Sequence, residues 1–140
     1  MSAPDRLHRT ITVGASRELV WDALTTPEQL VRWFPTHDAR IDLRPGGAAR
    51  FAWKDTADEA VIEVVEPPER LVFRWRPEGT DRPHTRVSIT LADADGGTTL
   101  TLEESGFASL PDQIEQQSYD GNAEGWAAEL AELAAYLEAS

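Results

Sequence analysis

Within six short runs between Ile41 and Leu102, large apolar residues recur at every second position. The runs are Ile41 and Leu43; Phe51 and Trp53; Ala60 to Val65; Leu71, Phe73 and Trp75; Val87, Ile89 and Leu91; and Leu100 and Leu102. Successive side chains on a strand point to opposite faces, so this period predicts strands with one apolar and one wet face. Turn-forming segments separate them: Pro45-Gly46-Gly47, Lys54 to Asp58, Pro67-Pro68-Glu69, Pro77 to Pro83 and Asp93 to Gly97. Connections this short join antiparallel neighbours, which makes the six runs a meander.

The flanks complete the order. Leu7 to Val13 alternates in the same way and adds a first strand. Ser16 is placed to cap a helix bearing Leu19, Val20, Ala23 and Leu24 at helical spacing. Thr26-Pro27-Glu28-Gln29 has capping-box spacing with proline at the first helical position, so a second short helix should carry Leu30 and Trp33 on one face and end at Phe34-Pro35. After Ser105 the chain is irregular, with a helical turn expected near Pro111 to Gln117. Trp126, Leu130, Leu133, Ala134 and Leu137 then define an amphipathic helix of about four turns. The expected class is α+β: a curved seven-stranded antiparallel sheet wrapped around a long C-terminal helix, with two short helices between strands 1 and 2. Residues 1–140 are expected to form a single domain around one core. Sheet and helix diverge at one end, and the gap there is the expected site.

Charge and composition narrow the function. A formal net charge of -12 repels phosphate backbones and anionic lipid, so nucleic acid and membrane surfaces are not expected partners. With no cysteine, disulfides, thiolate metal sites and cysteine nucleophiles are excluded. The first nine residues are polar, unlike a signal peptide, and no later run approaches the roughly 18 apolar residues of a membrane span, so a cytoplasmic location is expected. All basic residues but Lys54 are arginine and alanine is abundant, which points to a GC-rich bacterial coding sequence.

Trp33-Phe34, Ile41-Asp42-Leu43-Arg44-Pro45-Gly46-Gly47, Glu63 to Pro68 with Leu71-Val72-Phe73-Arg74-Trp75, Ser105-Gly106-Phe107 and Gly125-Trp126 occur in this order. Together they resemble bacterial proteins similar to the C-terminal domain of the activator of the ninety-kilodalton heat-shock protein ATPase. That family lies in the helix-grip (START-like, SRPBCC) superfamily, and the resemblance runs from about Leu7 to Glu138. It implies a helix-grip fold with a cavity for apolar small molecules between sheet and C-terminal helix. Trp33-Phe34 stands where the family usually has a doubled tryptophan, and a glycine common at the start of the fourth strand is replaced around Glu59-Ala60. Both departures bear on the cavity's rim and volume. Bacterial members are often encoded beside small winged-helix repressors, so the resemblance also implies a functional link to such a repressor.

The expected cavity-lining residues are Trp33, Phe34, His37, Phe51, Trp53, Phe73, Trp75, Glu104, Trp126 and Leu130. Each aromatic can bury about 150 Å² or more in a plain core, but five tryptophans in a chain this short also suit a wall for flat apolar ligands. Trp33, Trp53 and Trp126 lead this set. Of His8, His37 and His84, only His37 lies near the expected cavity mouth, and none has metal-ligand spacing. Glu103 and Glu104 are neighbours on a strand and point to opposite faces, which rules out joint work on one bond. Glu104 shares the inward parity of Leu100 and Leu102. A carboxyl there is a polar anchor for a ligand or, the plainer expectation, a wet position at the strand's end. Glu63, amid apolar residues, is open to the same two readings. Asp93 to Gly97 lacks the later ligands of a calcium loop and reads as a hairpin turn; Gly46-Gly47 and Gly96-Gly97 fit no phosphate loop.

No catalytic residue, metal or cofactor is therefore expected. The leading expectation is a monomeric or homodimeric binding module that carries, sequesters or senses a small hydrophobic or aromatic molecule. An enzyme similar to polyketide cyclases and aromatases is the alternative, with His37, Glu104 and Arg74 as its sparse polar groups. A co-chaperone role ranks third, because the eukaryotic activators carry an additional N-terminal domain for which 140 residues leave no room.

Overall fold

The computed structural model describes residues 6–34, 38–52, 57–77, 85–106 and 112–138. Seven strands form one antiparallel sheet in the order β1-β7-β6-β5-β4-β3-β2. They are β1 (Arg6–Val13), β2 (Asp38–Ile41), β3 (Ala48–Ala52), β4 (Ala57–Glu66), β5 (Arg70–Pro77), β6 (Arg86–Ala94) and β7 (Gly97–Ser105). Helices α1 (Arg17–Thr25) and α2 (Pro27–Trp33) carry the chain from β1 at one edge to β2 at the other, and α3 (Asp112–Glu138) follows β7. Among the described residues no helix is long and apolar enough to cross a membrane.

The period-two runs bury the side they promise. Leu100, Leu102, Val87, Ile89, Leu91, Leu71 and Phe73 are buried on the concave face, where Trp126, Leu130, Leu133 and Leu137 of α3 meet them. Each leucine so buried contributes roughly 1.5–3 kcal/mol, which makes the α3 stripe a main tie between the layers. Ser16 caps α1 as its position predicts, its side chain accepting the Leu19 backbone N–H.

Four local expectations change. Leu43 falls beyond the end of β2 and is exposed, because the chain turns at Asp42 to begin the loop into β3. Leu19 is also exposed; the buried face of α1 is Val20, Trp21, Ala23 and Leu24, rotated by one position. Thr26 makes no side-chain cap for α2: it also ends α1, where its backbone N–H bonds to Asp22, and this joint role sets its orientation. Lastly, α3 begins at Asp112, so the isolated turn expected near Pro111 to Gln117 is part of a continuous helix of 27 residues.

The loop from Asp42 to Gly47 does more than reverse the chain. Gly46 has φ +84°, a conformation that favours glycine, and its N–H bonds to Ile62 of β4 at 2.7 Å while Gly47 accepts from the Ile62 N–H at 2.8 Å. Beside this dock, β4 carries a bulge: the register with β5 shifts between Ile62 and Val64. An extra residue of this kind bends a strand and increases its twist, which helps the sheet curve around α3. The extra residue, Glu63, points outward and binds Arg86 at 2.6 Å and Arg74 at 3.6 Å. The Arg86 hydrogen bond, above all, holds its carboxyl below the ordinary range.

A Cβ built on Gly47 would stand 2.1 Å from the Asp42 carbonyl oxygen, a backbone atom that has no room to yield. Gly47→Ala should therefore destabilise the protein by roughly 1–3 kcal/mol, the range for steric overpacking, whereas Gly46→Ala should act through backbone strain alone. Urea unfolding of both variants measures the difference.

Candidate functional site

The site is built where the end of α2 and the middle of α3 meet the concave face of the sheet. Phe34 closes α2 as its C-cap, its backbone N–H bonded to Leu30. Its ring lies parallel to Trp126 of α3 at 6.4 Å and edge-on to Phe51 of β3 at 5.6 Å. Phe51 in turn meets Trp75 of β5 edge-on at 5.8 Å, and Trp75 meets Phe73 at 5.1 Å. A row of rings thus runs from α3 across the loop end of α2 to β3 and β5. Edge-to-face and offset pairs of this kind add about 0.5–1.5 kcal/mol each to what their buried area provides.

One polar group lies within this apolar setting. Glu104 follows Leu102 inward on β7 and is fully buried. The Trp126 indole N–H donates to its Oε1 at 2.9 Å, and the Thr85 hydroxyl donates to its Oε2. The plainer expectation of a wet position at the strand's end is overturned: Leu7 of β1 and Val87 of β6 flank Glu104 in the sheet and shut water out. Such a group is stable inside a protein only while its oxygens are hydrogen-bonded. Glu103, its neighbour, faces out and pairs with Arg6.

Of the residues read from sequence, Phe34, Phe51, Phe73, Trp75, Glu104 and Trp126 come together here. Leu130 is buried one turn along α3, beneath the site. Trp33 serves the scaffold as well: it is buried and its indole N–H donates to the Ala23 carbonyl at 2.9 Å, tying α2 to α1. His37 and Trp53 lie outside the described residues. Arg74 points away and binds Glu63. Among the described residues no group of three or more histidines or carboxylates is placed to hold a metal.

Two residues were missed. Thr85 stands two positions before Val87, so the alternation already placed it on the inward face. Glu129 lies three residues after Trp126 and four before Leu133, on the flank of the buried stripe. Its Oε2 is buried without a hydrogen-bond partner, and burial, aided by the nearby Glu132 charge, pushes its carboxyl up to about 7.

A curved antiparallel sheet gripping one long helix, with aromatic rings and a buried carboxyl in the space between, defines a helix-grip protein. The family model for activator of Hsp90 ATPase homolog 1-like protein matches residues 14–138, and the chain belongs to that family. Among solved structures it is similar to NE0264 from Nitrosomonas europaea, with 27% identity over 99% of this chain and 97% of that one and a TM-score of 0.82. It is similar also to DynU16, a protein in the dynemicin biosynthetic locus, with 28% identity over 97% of this chain and 48% of that one and a TM-score of 0.77. The Aha1 dimer from Colwellia psychrerythraea matches at 20% identity over 95% of this chain and 96% of that one, with a TM-score of 0.81. No curated protein matches the chain by sequence.

Trp126→Phe leaves Glu104 Oε1 without its indole donor and should lower stability by roughly 1–3 kcal/mol. Glu104→Gln keeps an acceptor for the indole and should cost less; denaturant midpoints of the two variants make the comparison. Glu129 sets a pH dependence of opposite sign to most acids. Its folded-state value lies above the ordinary 4.5, so the folded protein holds a proton that the unfolded chain has already released. Stability from this group therefore falls as pH rises from about 4.5 to about 7. Melting temperatures of wild type and Glu129→Gln should diverge over that window, with the variant gaining relative stability at the alkaline end.

Proposed function

We propose that this protein binds a small hydrophobic or aromatic molecule between the concave face of the sheet and α3, and that it carries, sequesters or senses that molecule. The observation that supports this most is Glu104: a fully buried carboxyl, presented by Trp126 and Thr85, beside a row of aromatic rings. Apolar walls with a few fixed polar groups are the usual makeup of small-molecule sites. Burial against such walls yields on the order of 25 cal/mol per Å², enough for affinity without a catalytic group. In this reading the rings of Phe34, Phe51, Phe73, Trp75 and Trp126, with Leu130 below, contact the ligand's apolar body, and Glu104 selects for a hydrogen-bond donor on it. The whole chain is read as one such domain, monomeric or paired as a homodimer like its Colwellia relative.

A second reading, an enzyme similar to polyketide cyclases, draws support from the likeness to a protein of a biosynthetic locus and from Glu104 as a group able to move a proton. Turnover of a bound compound separates the two.

Native mass spectrometry of gently purified protein, paired with tryptophan fluorescence titration against aromatic and acyl compounds, tests the proposal. A retained small molecule, or saturable quenching lost in folded Phe51→Ala and Trp75→Ala variants, is the expected result. Protein that is empty and indifferent to the whole panel would overturn it.

A further inference from the structure

A groove of about 360 Å³ lies between α2 and α3, and among the described residues no strand residue lines it. From α2 come Val31, Arg32, Trp33 and the capping Phe34; from α3 come Ala128, Glu129 and Glu132. Val31 is 39% exposed within it, so one apolar side chain of the wall stands in water.

Charges of opposite sign stand on the two walls of this groove, with Arg32 and Glu132 exposed and Glu129 half-buried. Arg32 makes no ion pair among the described residues, and Glu129 has a buried oxygen without a hydrogen-bond partner. Val31, Trp33 and Phe34 give the groove apolar surface, Arg32 stands on one wall, and two carboxyls spaced i and i+3 stand on the other.

We infer that this groove binds a small zwitterion with an apolar body, the chemical class of a free aromatic or branched amino acid. Its ammonium meets Glu129 and Glu132, its carboxylate meets Arg32, and its apolar portion covers Val31 against Trp33 and Phe34. An ammonium set between the Glu129 and Glu132 carboxyls and a carboxylate set at Arg32 engage both walls at once through charge-assisted hydrogen bonds. The volume falls within the range of small-molecule sites. Arg32 on one wall and the two carboxyls on the other favour a ligand that carries both a negative and a positive end over an ion of either sign. The charge that acts on Glu129 is Glu132 on its own helix, and Arg32 of α2 lines the same groove.

Isothermal titration at pH 8 with L-phenylalanine, phenethylamine and 3-phenylpropionate separates the contributions of the two ends. Phenylalanine should bind saturably and at least about tenfold more tightly than either singly charged analogue, the effect of one charge-assisted contact. Arg32→Ala should erase its advantage over phenethylamine, and Glu129→Gln its advantage over 3-phenylpropionate. Because the ammonium must displace the Glu129 proton, affinity should fall about tenfold between pH 8 and 5.5 in the wild type and stay nearly flat in Glu129→Gln. Backbone amide shifts should concentrate on α2 and α3. Equal affinities for the three compounds, no saturation at millimolar concentration, or shifts centred on β3 and β5 would each overturn the assignment, the last because it would place the compound between sheet and helix.

Discussion

A seven-stranded sheet that is apolar on one face must cover that face, and the stripe from Trp126 to Leu137 on α3 is what covers it. The other features follow from this constraint. The sheet has to curve, which the bulge at Glu63 and the dock of Gly46 and Gly47 on Ile62 promote. The short helices have to lie at one end, so that α2 delivers Phe34 to the point where α3 crosses. Between helix and sheet, the rings of Phe34, Phe51, Phe73, Trp75 and Trp126 come together.

Glu104 is the exception that gives this interior a direction. A core made only of leucine and phenylalanine offers no preferred orientation to anything within it. A carboxyl whose two oxygens are held by an indole N–H and a threonine hydroxyl presents a fixed dipole at one place on the wall. The indole bond also pins α3 to β7, so the polar anchor is part of the joint between the two layers.

Much of the fold was legible because strand periodicity is a local property. Val87, Ile89 and Leu91 announce their face regardless of what covers it, and Leu100, Leu102 and Glu104 share a parity that no tertiary contact can change. The first half of α3 was not legible: Gly121, Asn122 and Gly125 weaken any helical pattern, and the stretch before Trp126 has no apolar stripe to betray a helix. Nor could parity alone decide whether Glu104 was wet, since Thr85, Leu7 and Trp126 reach it from three other parts of the chain. The groove between α2 and α3 was invisible for the same reason. Arg32 and Glu129 are ordinary surface residues until two helices bring their walls together.

The path of the chain has a consequence for how the molecule assembles. The meander from β2 to β7 joins neighbours through short hairpins, but β1 lies beside β7, so Arg6 pairs with Ser105 across almost the whole sheet's worth of sequence. Closing a loop that long costs roughly 4 kcal/mol of chain entropy before any contact rewards it. Pairings this distant in sequence are intrinsically slow to form, and without β1 the β7 edge would stand open, with Glu104 short of one of its flanking strands. The polar anchor of the interior is completed by the pairing that spans the most sequence in the sheet.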